Sequence, residues 1–191
     1  MVFRDLVALG CQTDVLLQDE LDKKAKTIHE RYVSTEIARG ITPQSNAILV
    51  AWDDLPEAMR QSNRAQADHE PIKLATLKIA KDPATIEALA EAEHRRWMAE
   101  RVLSGWRYGS TRDNPRKRHP SLKPYAEISE DVKQKDRDVV NYILACYECQ
   151  SGNLDEAKRI IAAIVAADPK VKDQYLQDDD LKAIHDYIKT L

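Results

Sequence analysis

The segment "GWRYGSTRDNPRKRHP", Gly105 to Pro120, decides how the rest of this chain is interpreted. It combines two aromatic residues, two glycines and five basic residues. Its glycines and prolines argue against both a continuous helix and a regular strand. A loop of this length stays ordered only when something anchors it, and Trp106 and Tyr108 are the available anchors. We therefore predict an ordered loop that begins where a helix ends at Gly105.

Composition excludes several classes of protein. The 191 residues are 43% hydrophobic and 32% charged, which is typical of a soluble globular protein. A formal net charge of −3 gives no general basic field, so nucleic acid is not an expected partner. No apolar run approaches the roughly 20 residues of a membrane span, and no signal peptide is recognisable. Three cysteines do not make a disulfide framework, which favours the cytoplasm.

Apolar residues that recur every three or four positions predict a mainly α fold. One stripe runs from Leu16 to Ala38 and stops before Gly40. Further helix starts are predicted near Pro56, at Asp82 with Pro83 in the first turn, and near Ser129. No alternating pattern predicts a strand, and the run "NAILVAW" at 46–52 is ambiguous.

An internal repeat divides most of the chain into two units. Residues 28–40 align with 93–105 without a gap, and residues 51–67 align with 124–140. Between these blocks the second copy carries eight additional residues, which belong to the Gly105–Pro120 loop. We predict two helix–loop–helix units with a pseudo-twofold relation. The matched pairs are His29 and His94, Tyr32 and Trp97, Gly40 and Gly105, Trp52 and Tyr125, Leu55 and Ile128, Glu57 and Glu130, Asn63 and Asp136, and Arg64 and Arg137.

The second unit resembles the RyR repeat domain, which is named for the ryanodine receptors and is also found in bacterial and phage proteins. The resemblance rests on His94, Trp97, "GWRYG" from Gly105, Arg112-Asp113, His119-Pro120, Leu122, Pro124-Tyr125 and Asp136-Arg137. In the ryanodine receptors the module occurs as tandem pairs. The resemblance therefore implies a leader at 1–21, a degenerate first repeat at 22–82, a second repeat at 83–145, and a separate C-terminal segment at 146–191.

The C-terminal segment predicts a helical hairpin similar to a tetratricopeptide unit. Gly152-Asn153 interrupts the chain, and Asp168-Pro169 ends the helix that follows. We expect the apolar stripe of that helix to pack against the repeat units or against a second subunit. The stripe consists of Ile160, Ile161, Ile164 and Val165.

The loop also predicts a binding site for a nucleotide. An aromatic face beside guanidinium groups suits such a ligand, because the base stacks and the phosphates accept charge-assisted hydrogen bonds. A purely structural interpretation stays open, in which the rings only pin the loop and the basic run is solvated. The candidate ligand-binding residues are Trp97, Arg101, Trp106, Tyr108, Arg112, Arg116, Lys117, Arg118 and His119.

The RyR resemblance implies a ligand class for this site. In that family, paired repeats hold an adenine nucleotide between the aromatic rings of two glycine-tryptophan loops. The implied role is a sensor or sequestering protein for an adenine-containing nucleotide, or for a signal derived from NAD or ADP-ribose, in phage–bacteria conflict. Here Ile41 stands where the first loop would carry its tryptophan. The second ring would then come from Trp52, from Tyr32, or from Trp106 of a second chain, which favours a homodimer.

Other motifs give weaker functional predictions. Cys146 and Cys149 form a lone CxxC inside a predicted helix, and we expect two buried or idle thiols. His29 and His94 each precede an aromatic residue by one turn, which indicates structural imidazoles. Because no nucleophile and base are identifiable, we expect no enzyme activity, no cofactor and no metal. The alternative function is a protein-interaction module whose basic aromatic loop meets an acidic partner.

Overall fold

The computed structural model describes residues 19–191, with side chains from Asp22 onward, and it is mainly helical. The predicted mainly α fold and its C-terminal helical hairpin are confirmed. The predicted leader and the predicted helix start at Leu16 fall largely outside the described residues. The long helices are α1 (Asp19–Ala38), α2 (Glu57–Leu77), α3 (Pro83–Leu103), α4 (Glu130–Gln150) and α5 (Leu154–Ala167), followed by the short α6 (Lys172–Tyr175) and α7 (His185–Thr190).

Shorter elements connect these helices. Single turns of 3₁₀ helix precede α2 and α4, and two more lie among the C-terminal helices. They span Trp52–Asp54, Tyr125–Glu127, Pro169–Val171 and Asp179–Ile184. Two strands of two residues each, β1 (Arg107–Tyr108) and β2 (Arg118–His119), lie between α3 and α4. None of the helices between residues 19 and 191 is long and apolar enough to cross a lipid bilayer.

The helix ends occur where the sequence places their signals. The Asp82 side chain accepts hydrogen bonds from the backbone N–H groups of Ala84 and Thr85, which caps α3 as predicted. Gly40 and Gly105 end α1 and α3 with φ of 85° and 83°, a conformation in which a side chain would be strained. These two glycines turn the chain out of its helix at matched positions of the repeat.

The chain forms two compact units, residues 1–68 and 69–191, and their boundary lies within α2. In the first unit, Ala25 of α1 packs with Trp52 and Leu55. The ambiguous run at 46–52 forms turns and leads into the 3₁₀ helix at Trp52. Leu49 and Trp52 of this run are buried and Ile48 and Val50 pack beside the core, whereas Ala47 and Ala51 are exposed.

In the second unit, α4 packs against both α3 and α5. The predicted stripe of α5 is buried in the same core as Leu89 of α3 and Val140 and Leu144 of α4. This confirms that the C-terminal segment packs against the second repeat unit. Because α4 continues to Gln150, it passes the predicted domain boundary at 145–146 without a break.

A buried ion pair joins α2 to α3 within the second unit. The Lys73 side chain is 0% exposed, and its Nζ donates to Glu93 at 2.6 Å. Arg96 donates to the same carboxylate through Nε and Nη2. Two cations therefore share one acceptor in a site that excludes water. The attraction of Glu93 for both offsets the cost of desolvating three charges.

We predict that Ile161→Ala lowers the free energy of unfolding by about 2–5 kcal/mol, because Ile161 is 0% exposed and its loss leaves a cavity. The matched control is Ile79→Ala, since Ile79 is 88% exposed and should change stability by about 0.5 kcal/mol at most. Urea unfolding followed by circular dichroism measures both. Equal effects of the two substitutions would contradict the packing of α5 in this core.

A second prediction concerns the charges between α2 and α3. Glu93→Gln should cost about 3–5 kcal/mol, because it leaves Lys73 and Arg96 buried without a counter-charge. Glu91→Gln on the same helix is the control, since Glu91 pairs only with the exposed Arg95 and should cost less than about 1 kcal/mol. Urea unfolding of both variants gives the comparison, and a small loss for Glu93→Gln would overturn the role assigned to the pair.

Candidate ligand-binding site

The Gly105–Pro120 loop folds back on itself through backbone hydrogen bonds. Strands β1 and β2 pair in parallel, with Arg107 opposite Arg118 and Tyr108 opposite His119. A further bridge joins Asp113 to Arg118, whose N–H and C=O groups exchange hydrogen bonds at 2.8 and 3.0 Å. The sequence did not predict these short strands, because two residues are too few to show an alternating pattern. They give the loop one fixed shape.

Gly109 is needed for close approach. A Cβ atom at this position would lie 2.8 Å from Cβ of Arg118. Only a residue without a side chain therefore lets the two arms of the loop come together here. The sequence predicted a further turn at Gly109, whereas the structure shows a packing requirement.

His94 fastens α3 to the exit of the loop. Its buried ring donates from Nε2 to the backbone oxygen of Lys123 at 2.9 Å, and its Nδ1 lies 3.3 Å from Oδ2 of Asp136. A carbonyl oxygen can only accept, so Nε2 carries a proton, and a second proton on Nδ1 would make the ring the cation of an ion pair with the Asp136 carboxylate. Burial opposes the charged ring, but the bonds to Asp136 and Lys123 outweigh it and raise the pKa of His94. The predicted structural role of His94 is confirmed.

The first unit contains the same kinds of bond at the matched positions. His29 donates from Nε2 to the backbone oxygen of Val50 at 2.8 Å, and its ring lies against Trp52 as that of His94 lies against Tyr125. Each unit also holds an arginine between two carboxylates of its own helices. These are Arg64 with Asp22 and Glu57 in the first unit, and Arg137 with Glu87 and Glu130 in the second.

Three rings and a guanidinium meet where the loop crosses α3. The His119 ring makes an edge contact with Trp97, with centroids 5.0 Å apart, and lies 6.4 Å from Trp106 at an interplanar angle of 68°. Cζ of Arg101 lies 5.4 Å from the centre of the Trp106 ring. All four residues were predicted as ligand-binding candidates, and the structure brings them together. We call this group the tryptophan–histidine cluster.

Positive charge converges on this cluster. The half-buried His119 accepts a hydrogen bond at Nδ1 from the backbone N–H of Ser121, 3.1 Å away. Burial and the nearby charges of Arg112 and Arg101 lower the pKa of His119 to about 4. Lys135 of α4 adds to this effect. His119 is therefore neutral near pH 7, and the positive potential around it comes from its neighbours.

The remaining basic residues of the loop bond to the loop itself. Lys117 has a φ of 51° and donates from Nζ to the backbone oxygen of Ser104, at the end of α3. Arg118 donates to the backbone oxygen of Tyr108, and Arg116 pairs with Asp113. Arg112 differs, because its one bond within the loop, from Nε to Asn114, engages only one edge of the guanidinium. Arg112 is thus the best placed of the loop's cations for meeting an anion.

Tyr108 lies apart from the tryptophan–histidine cluster in its contacts. It is 47% exposed, and Nζ of Lys123 is 4.8 Å from its ring centre. Sequence reasoning missed Lys123 at this ring and Lys135 beside His119. Each lies outside the Gly105–Pro120 segment, and the fold brings its side chain near a ring of the loop. No spacing rule would have found these two residues.

The matched positions of the first unit form no such cluster. Asn46 aligns with His119 there, and its Nδ2 donates to the Tyr32 hydroxyl at 2.9 Å. Trp52 is buried beside His29, with the Arg64 guanidinium 5.9 Å from its ring centre. Ile41 stands at the position of Trp106. The Trp52 ring is therefore not open to a ligand, whereas Tyr32 is half-buried and stays a candidate for the second ring.

The comparison with known families falls on the part of the chain that carries the cluster. Residues 68–149 match the model of the RyR domain. This segment of the chain is therefore similar to the RyR domain. The match agrees with the resemblance read from the second unit, and it extends from α2 across the loop into the last turn of α4. It includes every residue of the tryptophan–histidine cluster.

The pKa of His119 predicts how stability depends on pH. Between about pH 6.5 and pH 4 the unfolded chain binds a proton at His119 that the folded protein does not. The free energy of unfolding should therefore fall as pH is lowered through this window. His119→Asn keeps an acceptor for the Ser121 N–H and removes the titration. Urea unfolding at pH 5 and pH 7 should show a loss for the wild type that exceeds that of the variant by on the order of 1 kcal/mol.

His94→Gln gives the opposite sign and serves as the comparison. Because the folded-state pKa of His94 is raised, its contribution is fully present below about pH 6.5 and is lost as pH rises through the raised value. The destabilisation caused by His94→Gln should thus be larger at pH 5 than at pH 9. Parallel pH profiles for the wild type and both variants would contradict the assigned charge states.

Proposed function

We propose that this protein is a non-catalytic receptor for an adenine-containing nucleotide or a related signal derived from NAD or ADP-ribose. The observation that carries the proposal is the tryptophan–histidine cluster, where two indole rings and an imidazole lie beside Arg101 and Arg112. Rings give a base its stacking surface, and guanidinium groups give phosphates charge-assisted hydrogen bonds. The RyR domain is the family in which paired repeats hold an adenine nucleotide.

The candidate residues differ in which part of a ligand each of them could contact. Trp106 is half-buried, so part of its ring stays accessible for a base while Arg101 lies against it. Arg112 is exposed on the same loop, and its positive charge acts on the His119 ring of the cluster. Arg116, Lys117 and Arg118 act mainly by holding the loop in shape, with Arg116 82% exposed and able to reach a long ligand. Tyr108 and Lys123 would extend the surface at its outer edge.

The second ring of the clamp is assigned to a second chain. Matched bonds of His29 and Arg64 support a degenerate first RyR-like repeat before the RyR domain, as in tandem pairs. The first repeat lacks the aromatic loop and has Ile41 in place of a tryptophan. This argues against a complete site made by the first repeat alone. A homodimer in which two Trp106 rings enclose one base would restore the arrangement of the family. Such a protein would sense or sequester a signal in phage–bacteria conflict.

A protein-interaction role is the second candidate. The exposed Tyr108 ring and the exposed Arg116 lie on the outer surface of the loop, where an acidic partner would find aromatic area and positive charge. In that case the loop would keep its shape and the tryptophan–histidine cluster would serve only to support it. The two functions differ in whether Trp106 meets a ligand.

We predict that Trp106→Ala weakens nucleotide binding about ten-fold to more than a hundred-fold, because base stacking contributes about 1–3 kcal/mol. A thermal-shift screen with ATP, ADP-ribose, NAD and cyclic nucleotides first identifies the probe, since a ligand of the folded state raises the melting temperature. Calorimetry then compares the wild type, Trp106→Phe and Trp106→Ala. A stable Trp106→Ala protein that binds normally would contradict stacking and favour the interaction module.

Arg112→Ala tests the phosphate contact in the same assay. The loss of affinity should be similar at low salt and should shrink as salt screens the exposed charges. Arg95→Ala is the matched control. The Arg95 side chain on α3 is 74% exposed, so the substitution removes the same charge at a position away from the loop. Equal losses of affinity in Arg95→Ala and Arg112→Ala would show that the effect comes from net charge and not from a contact between Arg112 and the phosphate. Light scattering with and without the probe reports whether two chains share one nucleotide.

A further inference from the structure

We propose that the Nε2–H group of His119 donates a hydrogen bond to a phosphate oxygen of the ligand, which makes His119 a specificity-determining residue of the site. This inference rests on the proposed function and names the group of the ligand that His119 meets. It requires a ring whose proton is fixed on Nε2, a free donor at that atom, and surroundings that favour an anionic acceptor. The structure provides an observation for each.

The tautomer of His119 is fixed by the loop. The backbone N–H of Ser121 donates to Nδ1 at 3.1 Å, and a nitrogen that accepts a hydrogen bond carries no proton. The single proton of the neutral ring must then lie on Nε2. Protonation of both nitrogens would break the bond to Ser121. The lowered pKa of His119 agrees with this, because it keeps the ring neutral.

The donor at Nε2 has no acceptor within the described protein. Its ring partners are Trp97 and Trp106, whose contacts are those of ring edges and faces, and no described residue accepts a hydrogen bond from Nε2. The Trp97 contact, with centroids 5.0 Å apart, and the Ser121 bond hold the imidazole plane in place. A polar hydrogen on a ring that is held in this way is an oriented donor for a ligand that enters the cluster.

The charges around His119 indicate what kind of acceptor it meets. Arg101, Arg112 and Lys135 all disfavour a positive charge on this ring, which means that each places positive potential at it. The same potential attracts an anion. A phosphate oxygen near Nε2 would therefore gain one neutral hydrogen bond and the field of three cations, whereas a ring nitrogen of a base would gain only the hydrogen bond.

Two substitutions separate the two nitrogens of the ring. In His119→Asn the amide oxygen takes the place of Nδ1 as acceptor for Ser121, and the donor at Nε2 is lost. In His119→Gln the side-chain amide nitrogen reaches the position of Nε2, and the acceptor near the backbone is lost. If His119 only supports the loop, His119→Asn should thus reduce ligand affinity less than His119→Gln does. If His119 binds phosphate, His119→Gln should reduce ligand affinity less than His119→Asn does.

The experiment measures binding of ADP-ribose, AMP, adenosine and inorganic pyrophosphate to the wild type and both variants by calorimetry, with apo melting temperatures alongside. We expect His119→Asn to weaken ADP-ribose and AMP about ten-fold or more, and His119→Gln to retain most of the affinity. Adenosine binding should be equal in all three proteins. If pyrophosphate binds, it should follow AMP, since it carries the phosphate acceptor without the base.

Each of the other outcomes contradicts one part of the proposal. If the wild type binds ADP-ribose and His119→Asn binds it equally well, the His119 contact is wrong and the proposed function stands. If His119→Asn weakens adenosine as much as AMP, the donor meets the base and the phosphate assignment is wrong. If the wild type binds none of the four probes, this inference fails, and if it also binds no nucleotide of the thermal-shift screen, the proposed function fails with it. A ¹⁵N spectrum showing the His119 proton on Nδ1 would overturn the inference without any ligand.

Discussion

The contacts of His94 are the constraint on which the second unit depends. Its buried ring donates from Nε2 to the backbone oxygen of Lys123, and its Nδ1 lies 3.3 Å from the Asp136 carboxylate. It thereby joins α3, the exit of the loop and α4 at a single point. The Trp97 and Tyr125 rings also pack against it. Since the His119 ring rests against Trp97, the position of the candidate ligand site is set by a contact made in the core.

The two histidines of this region have pKa values shifted in opposite directions. Burial opposes a positive charge on the His94 ring, but Asp136 and the backbone oxygen of Lys123 outweigh it and raise the pKa of His94. Burial and the charges of Arg112, Arg101 and His94 lower the pKa of His119 to about 4, and a second proton would break the bond from Ser121 to Nδ1. The cluster therefore contains a ring that is neutral near pH 7 and lies in a positive field.

Sequence patterns predicted those parts of the fold that depend on neighbouring residues. Asp82, Gly40 and Gly105 marked helix ends because capping and positive φ are local requirements. The alignment of His29 with His94 predicted a structural imidazole in each unit, and both rings donate to a backbone oxygen. In the site, the composition of the loop pointed to Trp106 and His119, and the structure shows that Trp97 and Arg101 of α3 lie beside them.

What the sequence could not show were contacts that depend on how the chain folds back. Lys73 lies in an ordinary helical stretch, and only the approach of α3 makes it a fully buried cation bound to Glu93. The run Arg116 to Arg118 reads as a solvated basic surface, yet Lys117 and Arg118 bond to backbone oxygens of their own loop. A short-range pattern does not distinguish a cation that binds the loop from one that awaits a ligand. The geometry adds that Arg112 makes one side-chain bond within the loop, to Asn114, and this leaves Arg112 as the candidate for the second kind.

The bonds shared by the two units explain how one of them can lack a site without losing its fold. His29 with Val50, and Arg64 between Asp22 and Glu57, use side chains outside the loop, and they match those of His94 and Arg137. The differences include Asn46 and Tyr32, which bond to each other at the positions of His119 and Trp97. The hydrogen bond between Asn46 and Tyr32 satisfies a half-buried hydroxyl. The corresponding ring pair of the second unit leaves Nε2 of His119 without an acceptor among the described residues, and this difference is the reason for proposing a ligand in the second unit and not in the first.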